Sequence, residues 1–255
     1  MYVYLYDNFL SNKKFETIIK SMEVRLTDYG IAGKILRLNN FIDVKPIIDD
    51  EIKKGATTIV IVGNDKTFGN VLSRSATCNV IFGFLPVGSD NTIADVLGIP
   101  VNIESCDVLS RRLKERLDIG WVNNRYFVSQ LHVYPSKIEI EYDEKFRVKS
   151  ENELEVVVCN LQPFFWKTDK KDQNQVMVNP KDGKLEAFLR PAKKKKWFGG
   201  YDYEQASVFP FEEMIIRGDD AFAVEADGKK TKEKKIKIKL ASSRVEMIVG
   251  RERKF

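Results

Sequence analysis

Ile59-Val-Ile-Val-Gly-Asn-Asp-Lys-Thr-Phe-Gly-Asn-Val-Leu72 opens on an unbroken β-branched run, turns at a glycine, and continues into a helix-compatible segment. An uninterrupted apolar run of this kind suits a parallel strand buried on both faces. The segment Ile81-Phe-Gly-Phe-Leu-Pro-Val-Gly-Ser-Asp-Asn-Thr-Ile-Ala-Asp-Val-Leu-Gly-Ile-Pro100 repeats the plan: strand, polar glycine-containing turn, short helix. Two such turns place backbone N–H groups and a helix N-terminus at the carboxyl end of a sheet, where phosphate is favoured.

Working outward, the first half alternates strand and helix. Tyr2–Tyr6, Lys34–Leu38, Thr57–Val62 and Val80–Leu85 read as strands. Between them, Ser11 is placed to cap a helix with Phe15, Ile18, Ile19, Met22 and Leu26 at helical spacing, and a second helix follows Pro46. Thr67–Arg74, Asn91–Leu97 and Glu104–Arg116 read as further helices, the last with Val108, Leu109 and Leu113 inward. This alternation implies an α/β domain on a parallel sheet. The pattern changes near Leu117. Leu117–Val128 reads as two strands joined at Asn123-Asn124, a pair suited to a primed turn. Strand-like runs follow to Arg244–Val249, with turns at Asp182-Gly183, Gly218-Asp219 and Asp227-Gly228. The expectation is two domains: residues 1–117, α/β and nucleotide-binding, and residues 118–255, an antiparallel β-sandwich whose last strand returns to the first domain. Gln162–Gln175 and Arg190–Tyr203 are expected to be mobile loops.

Composition narrows the function classes. In 255 residues, Lys plus Arg number 42 and Asp plus Glu 37, a balance too mild to imply a nucleic-acid partner, and no RNA-binding motif appears. Three widely spaced cysteines and one histidine, His132, form no metal pattern, and reduced thiols point to the cytoplasm. No run approaches the ~20 apolar residues of a membrane span. The Lys193, Lys194, Lys195, Lys196 run beside Trp197 suits the anionic inner surface of a membrane, although a lysine run in a loop is more often a solvated tip. Lys235, Lys237 and Lys239 alternate with apolar residues, as on a strand whose lysines guard a sheet edge.

The two loops, taken with the hairpin Asp118-Ile-Gly-Trp-Val-Asn-Asn-Arg-Tyr-Phe127, resemble the diacylglycerol-kinase-like catalytic domain, the lipid-kinase relatives of NAD kinase. The family carries Gly-Gly-Asp-Gly-Thr where this chain has Gly63-Asn64-Asp65-Lys66-Thr67. It carries Pro-Leu-Gly-Thr-Gly-Asn-Asp where this chain has Pro86-Val-Gly-Ser-Asp-Asn-Thr92. Gly63, Asp65, Thr67, Pro86, Gly88 and Asn91 are kept; glycines are replaced at Asn64, Lys66 and Asp90.

The resemblance implies an ATP- and Mg²⁺-dependent phosphotransferase acting on a lipid hydroxyl, with the active site between the domains. Gly63, Asn64, Lys66, Thr67, Gly88, Ser89 and Asn91 would hold nucleotide. Asp65 would meet the metal, and an acid at Asp90, where the family has glycine, would repel phosphate unless Mg²⁺ lay between them, which makes Asp90 a second metal contact. Asp65 would be catalytic, and Asp227 would be the base for the acceptor hydroxyl. Asn64 is expected to tolerate the positive φ of a lost glycine, Lys66 less well. After the hairpin, Gln130–Pro135 passes almost directly to strands, where the family has a helical stretch beside the lipid site. Two other readings remain: a catalytically inactive relative that binds nucleotide or a partner, and an NAD kinase. On sequence alone Asp227-Gly228 reads first as a plain hairpin turn. The sequence defines neither the acceptor nor the oligomeric state.

Overall fold

The structure, a computed structural model, describes the whole chain except residues 40–42, 144–145, 166–174 and 196–200. The chain divides into two compact units, Met1–Leu117 with Ser243–Phe255, and Asp118–Ser242.

Unit 1 is built on a six-stranded sheet. Its strands in chain order are β1 (Tyr2–Tyr6), β2 (Lys34–Arg37), β3 (Thr58–Gly63), β4 (Ile81–Pro86), β5 (Lys114–Leu117) and, from the far end of the chain, β19 (Val245–Ile248). Their spatial order is β2-β1-β3-β4-β19-β5. All neighbours are parallel except β19 and β5. Every residue of β3 is buried, which is why its sequence needs no polar alternation.

Helices α1 (Glu16–Asp28), α2 (Val44–Lys53), α3 (Asp65–Ser75), α4 (Thr92–Val96) and α5 (Ser105–Arg111) complete the unit. From α1, Ile19, Met22 and Leu26 pack with Cys106 and Leu109 of α5 against Tyr4, Tyr6, Val60 and Val62. From α3, Phe68 meets Phe84 at 4.9 Å between ring centroids.

The helix expected over Glu104–Arg116 stops at Arg111. Arg112 adopts φ 54, and Lys114–Leu117 becomes β5, paired antiparallel with Val245–Ile248. Lys-Glu-Arg-Leu has helical propensity, but pairing with a strand more than a hundred residues later overrides it. Leu113, expected inward, is exposed as a result.

Unit 2 contains one continuous 11-stranded antiparallel sheet. Its strands are β6 (Gly120–Val122), β7 (Arg125–Phe127), β8 (Gln130–Ser136), β9 (Ile138–Tyr142), β10 (Phe146–Lys149), β11 (Leu154–Cys159), β14 (Leu185–Lys195), β15 (Tyr201–Tyr203), β16 (Ser207–Phe211), β17 (Glu213–Ala226) and β18 (Lys229–Leu240). Strands β12 (Phe164–Phe165) and β13 (Gln175–Val176) form a separate pair. Val122 and Phe127 near one end of the sheet share a core with Leu185 and Phe211 near the other. The sheet therefore wraps over its own inward face as a sandwich does.

Three local expectations are corrected. Gly218-Asp219 is not a hairpin turn but lies at an irregularity inside β17, between Arg217 and Phe222. The first half of β17 pairs with β9 and the second with β8, so the strand bends there without ending. Arg190–Lys195, expected to be loop, continues β14. Lys237 and Lys239 guard no edge, because that end of β18 lies between β17 and the β6 hairpin, whereas Lys235 lies before the pairing with β6 begins. Lys237 instead meets Glu213 across the strands at 2.5 Å, and Lys239 lies over the Trp121 ring at 4.7 Å. As the sequence suggested, β8 passes to β9 with no helix between them.

Candidate phosphate site and catalytic acids

The two glycine-containing turns follow β3 and β4, which lie side by side and parallel, so both open at the carboxyl edge of the sheet. Val87 donates its N–H to the Gly63 carbonyl at 2.7 Å, and Asp65 donates its N–H to the Asp90 carbonyl at 2.9 Å. The backbone of one turn is thereby fixed to the other.

In the first turn Asn64 is the N-cap of α3. It is extended, with φ −116, and its side chain accepts from the Thr67 N–H at 3.2 Å in a capping box. Lys66 is exposed in the first helical turn. Neither position adopts positive φ, which corrects the expectation that a glycine conformation is lost at both. The Thr67 hydroxyl donates to Asp7 at 2.6 Å. A Cβ on Gly63 would meet that hydroxyl oxygen at 2.5 Å, so Gly63 stays glycine because Thr67 packs onto it. Of the first-turn amides, those of Asp65, Thr67 and Phe68 go to Asp90, the Asn64 side chain and the Asn64 carbonyl. The Lys66 N–H takes none of these acceptors.

In the second turn Gly88 has φ 91 and Asp90 φ 64. Asp90 is therefore the one replaced glycine whose left-handed conformation survives, on a residue type that tolerates it. Asn91 donates from Nδ2 to the Gly88 carbonyl at 2.8 Å. Its Oδ1 is buried with no partner. Ser89 donates to the Asp90 carboxylate at 3.3 Å.

Asp65 joins the two turns a second time. The Ile93 N–H points between its carboxylate oxygens, at 3.2 and 3.1 Å. Burial pushes the Asp65 carboxyl up to about 6, with the negative charge of Asp90 adding to the rise and the amides of Thr92, Ile93 and Ala94 opposing it. A carboxylate held this way gains from a nearby cation. Asp65, Asp90 and the unpartnered Asn91 oxygen are hard oxygen donors that fit Mg²⁺, which binds through one or two carboxylates while keeping water and phosphate oxygens. Among the described residues no group of three or more His, Cys, Asp or Glu side chains is arranged to hold a metal, so protein carboxylates alone would not complete the shell.

Three residues at this edge escaped the sequence reading. Asp7, the first polar residue after β1, accepts from Phe9 N–H at 3.0 Å as well as from Thr67. Phe9 and Phe15 form an edge-on pair at 5.3 Å, and Phe9 lies 3.4 Å from where a Cβ on Gly88 would be. The available signal was position: Asp7 stands at the same carboxyl edge as the two loops.

Asp227 has a different setting. With φ 45, followed by Gly228 at φ 81, it forms the two-residue primed turn between β17 and β18. Its Oδ2 accepts from Val128 N–H at 2.8 Å. Its Oδ1 accepts from the N–H groups of Ser129 and Gln130, at 3.0 and 3.3 Å, and from the Ser129 hydroxyl. Burial raises its carboxyl above the usual range against the pull of those four donors. Of the proposed membrane-contact stretch, Lys193 is exposed at the end of β14. The side chains of Lys194 and Lys195, and all of Lys196 and Trp197, lie outside the described residues. No helix among the described residues is long and apolar enough to cross a membrane.

Comparison with known proteins agrees with this arrangement. Residues 2–122, just under half of the chain, match the family model of the diacylglycerol kinase catalytic domain. The whole fold is similar to a diacylglycerol kinase structure from Bacillus anthracis str. Sterne, with a TM-score of 0.76 and 17% identity over 98% of this chain and 97% of that one. A second structure from the same strain, assigned as a diacylglycerol kinase, gives 0.75 and 18% over 97% of each. No curated protein matches the chain. Residues 2–122 thus carry the signature of the diacylglycerol kinase catalytic domain, and the chain as a whole shares the fold of those structures, an α/β unit on a parallel sheet followed by an antiparallel β unit.

Proposed function

We propose that the chain is an ATP- and Mg²⁺-dependent phosphotransferase whose acceptor is a lipid hydroxyl. The supporting observation is Asp65: an acid raised by burial, bonded to the turn after β4, and set where two backbone loops meet at the carboxyl edge of the sheet. Such an edge is where α/β proteins bind phosphate. Mg²⁺, when bound, would neutralise phosphate charge beside Asp65 and Asp90.

The chain's own groups then have defined work. The Lys66 N–H and ammonium face phosphate as donors. The Gly88–Asn91 turn, in the conformation its positive φ values fix, brings backbone close to the nucleotide. The acceptor oxygen bonds to the γ-phosphorus as the bond to the ADP oxygen breaks, and the hydroxyl proton passes to a base. The family resemblance makes that base Asp227, whose Oδ2 has one donor and keeps a lone pair. An anionic lipid surface as the place of reaction is supported by Lys193 and by the lysines that follow it in sequence.

A second reading, nucleotide binding without turnover, is favoured by one observation. The four donors from Val128, Ser129 and Gln130 hold Asp227 as a turn residue would be held. Calorimetry with ADP, with and without Mg²⁺, followed by radiolabel transfer from ATP to diacylglycerol vesicles, NAD and water, separates the two. Mg²⁺-dependent binding with transfer to lipid is the expected result. Binding without transfer to any acceptor establishes the second reading, transfer to NAD alone makes the chain an NAD kinase, and no binding at millimolar nucleotide overturns all three.

A further inference from the structure

The turn Gly88–Asn91 runs straight into α4, a helix of five residues. A helix this short has no stability of its own, so its position is set by the packing of its buried Ile93, Ala94 and Val96 and by what holds its two ends. Its front is held by Asp65 through the Ile93 N–H. Its rear is held by a segment from the far end of the chain. Gly250 donates its N–H to the Leu97 carbonyl at 2.8 Å, and Lys254 donates its N–H to the Val96 carbonyl at 2.9 Å. The Lys254 ammonium pairs with Asp95 on the helix itself.

The segment is anchored in turn to β5 and its approach. Val249 N–H reaches the Leu113 carbonyl at 2.9 Å, and Arg253 meets Glu115 at 2.7 Å. Where it passes the end of α4, two glycines let the backbones touch. A Cβ on Gly250 would lie 1.7 Å from the Gly98 carbonyl oxygen, and one on Gly98, itself at φ +67, would lie 2.5 Å from the Arg253 nitrogen. No side chain fits either position.

We propose that residues 249–254 are a positioning strap for the phosphate site: the Gly98–Gly250 crossing and the Lys254–Asp95 pair fix where α4 begins, and so where Ile93 N–H meets Asp65 and how the Gly88–Asn91 turn is presented. Gly250 and Lys254 act through α4 and not on nucleotide. The functional consequence rests on the phosphate-site reading above; the structural one does not.

The test has two independent readouts, amide hydrogen exchange at Ile93 and Mg²⁺-ADP affinity by calorimetry. Gly250→Ala is expected to speed Ile93 exchange by about tenfold or more, with the amides of Val60 and Ile61 in β3 unchanged, because only the local opening becomes easier. Lys254→Ala should speed it about threefold and Lys254→Arg restore it, because an arginine still reaches Asp95. Nucleotide affinity should follow the same order. Wild-type exchange at Ile93 in folded Gly250→Ala or Lys254→Ala overturns the strap. So does an increase shared equally by β3, which marks general destabilisation. Should Gly250→Ala fail to fold, the Lys254 pair decides alone, since that side chain is exposed. Absence of nucleotide binding in the wild type overturns the proposed function, and the exchange readout still decides the strap.

Discussion

Asp65 and Asp227 are both acids in tight turns at strand ends, and the family resemblance gives both a part in catalysis. Their surroundings differ sharply. Asp65 takes the Ile93 N–H between its two oxygens and is favoured in its charged form by the Thr92 and Ala94 amides too, yet burial and a neighbouring carboxylate raise it to about 6. Asp227 receives four donors from a single backbone stretch, in a turn whose conformation its own residue type favours. At Asp65 burial and a like charge outweigh the amides that favour its ionised form; Asp227 is tied through both oxygens, by four donors, to the Val128–Gln130 segment. The same residue type therefore carries different weight in the two turns.

The strongest test of that contrast is Asp65→Asn. Mg²⁺-dependent nucleotide binding and any transfer should fall by about 100-fold or more, as for loss of a group that stabilises transferring charge. Stability should move the other way. A carboxyl whose folded value, about 6, exceeds its unfolded value, 3.8, favours folding fully below the lower value and loses that contribution as pH rises through the upper one. Asparagine has no such loss. The variant's advantage should therefore appear between those two values and level off above the upper one, at about 1–2 kcal/mol after allowance for partial exposure. Thermal melts at acid and neutral pH check this. In the wild type, Mg²⁺ affinity should weaken as pH falls through the same range.

Asp227→Asn should do the reverse to the fold. An asparagine tolerates φ 45, but its amide would face the Val128 N–H donor to donor. Although burial raises this carboxyl, the unpaired amide should dominate and cost about 1–3 kcal/mol. A variant with unchanged melting and much reduced transfer would instead make Asp227 a base first and a turn residue second.

The smallest effects concern the replaced glycines. Asp90→Gly should stabilise by about 1 kcal/mol, because it removes a side chain from a left-handed position. Asn64→Gly should cost only about a few tenths of a kcal/mol, since glycine is an acceptable N-cap. Equal responses at the two positions in denaturant melts would mean that backbone conformation is not what separates them.

Much of this was legible because it is local. The β-branched run of β3 admits little but a buried strand. Asn123-Asn124 and Asp227-Gly228 mark their turns through residues that accept positive φ, and both hairpins are present. The family signature lay in the two loops themselves. What could not be read depends on distant partners. Lys114–Leu117 is a strand only because Val245–Ile248 lies beside it, and β17 crosses a glycine without turning because two different strands flank its halves. In the site, the loss of glycine at Asn64 and Lys66 resembled damage, yet a capping box and a helical turn make glycine unnecessary there. Asp7 went unnoticed because its importance comes through Thr67, sixty residues away.

The place of β19 inside the sheet of unit 1, between β4 and β5, makes unit 2 an insertion within unit 1. During synthesis, β4 must wait with an unpaired edge of Ile81 and Phe82 until all of Asp118–Ser242 has been made and the final strand arrives. A chain that stalls in that interval offers an apolar parallel edge to any other strand nearby. This protein should therefore show its greatest tendency to aggregate as a nascent chain, and truncation anywhere in unit 2 should cost solubility through the loss of a strand that belongs to unit 1.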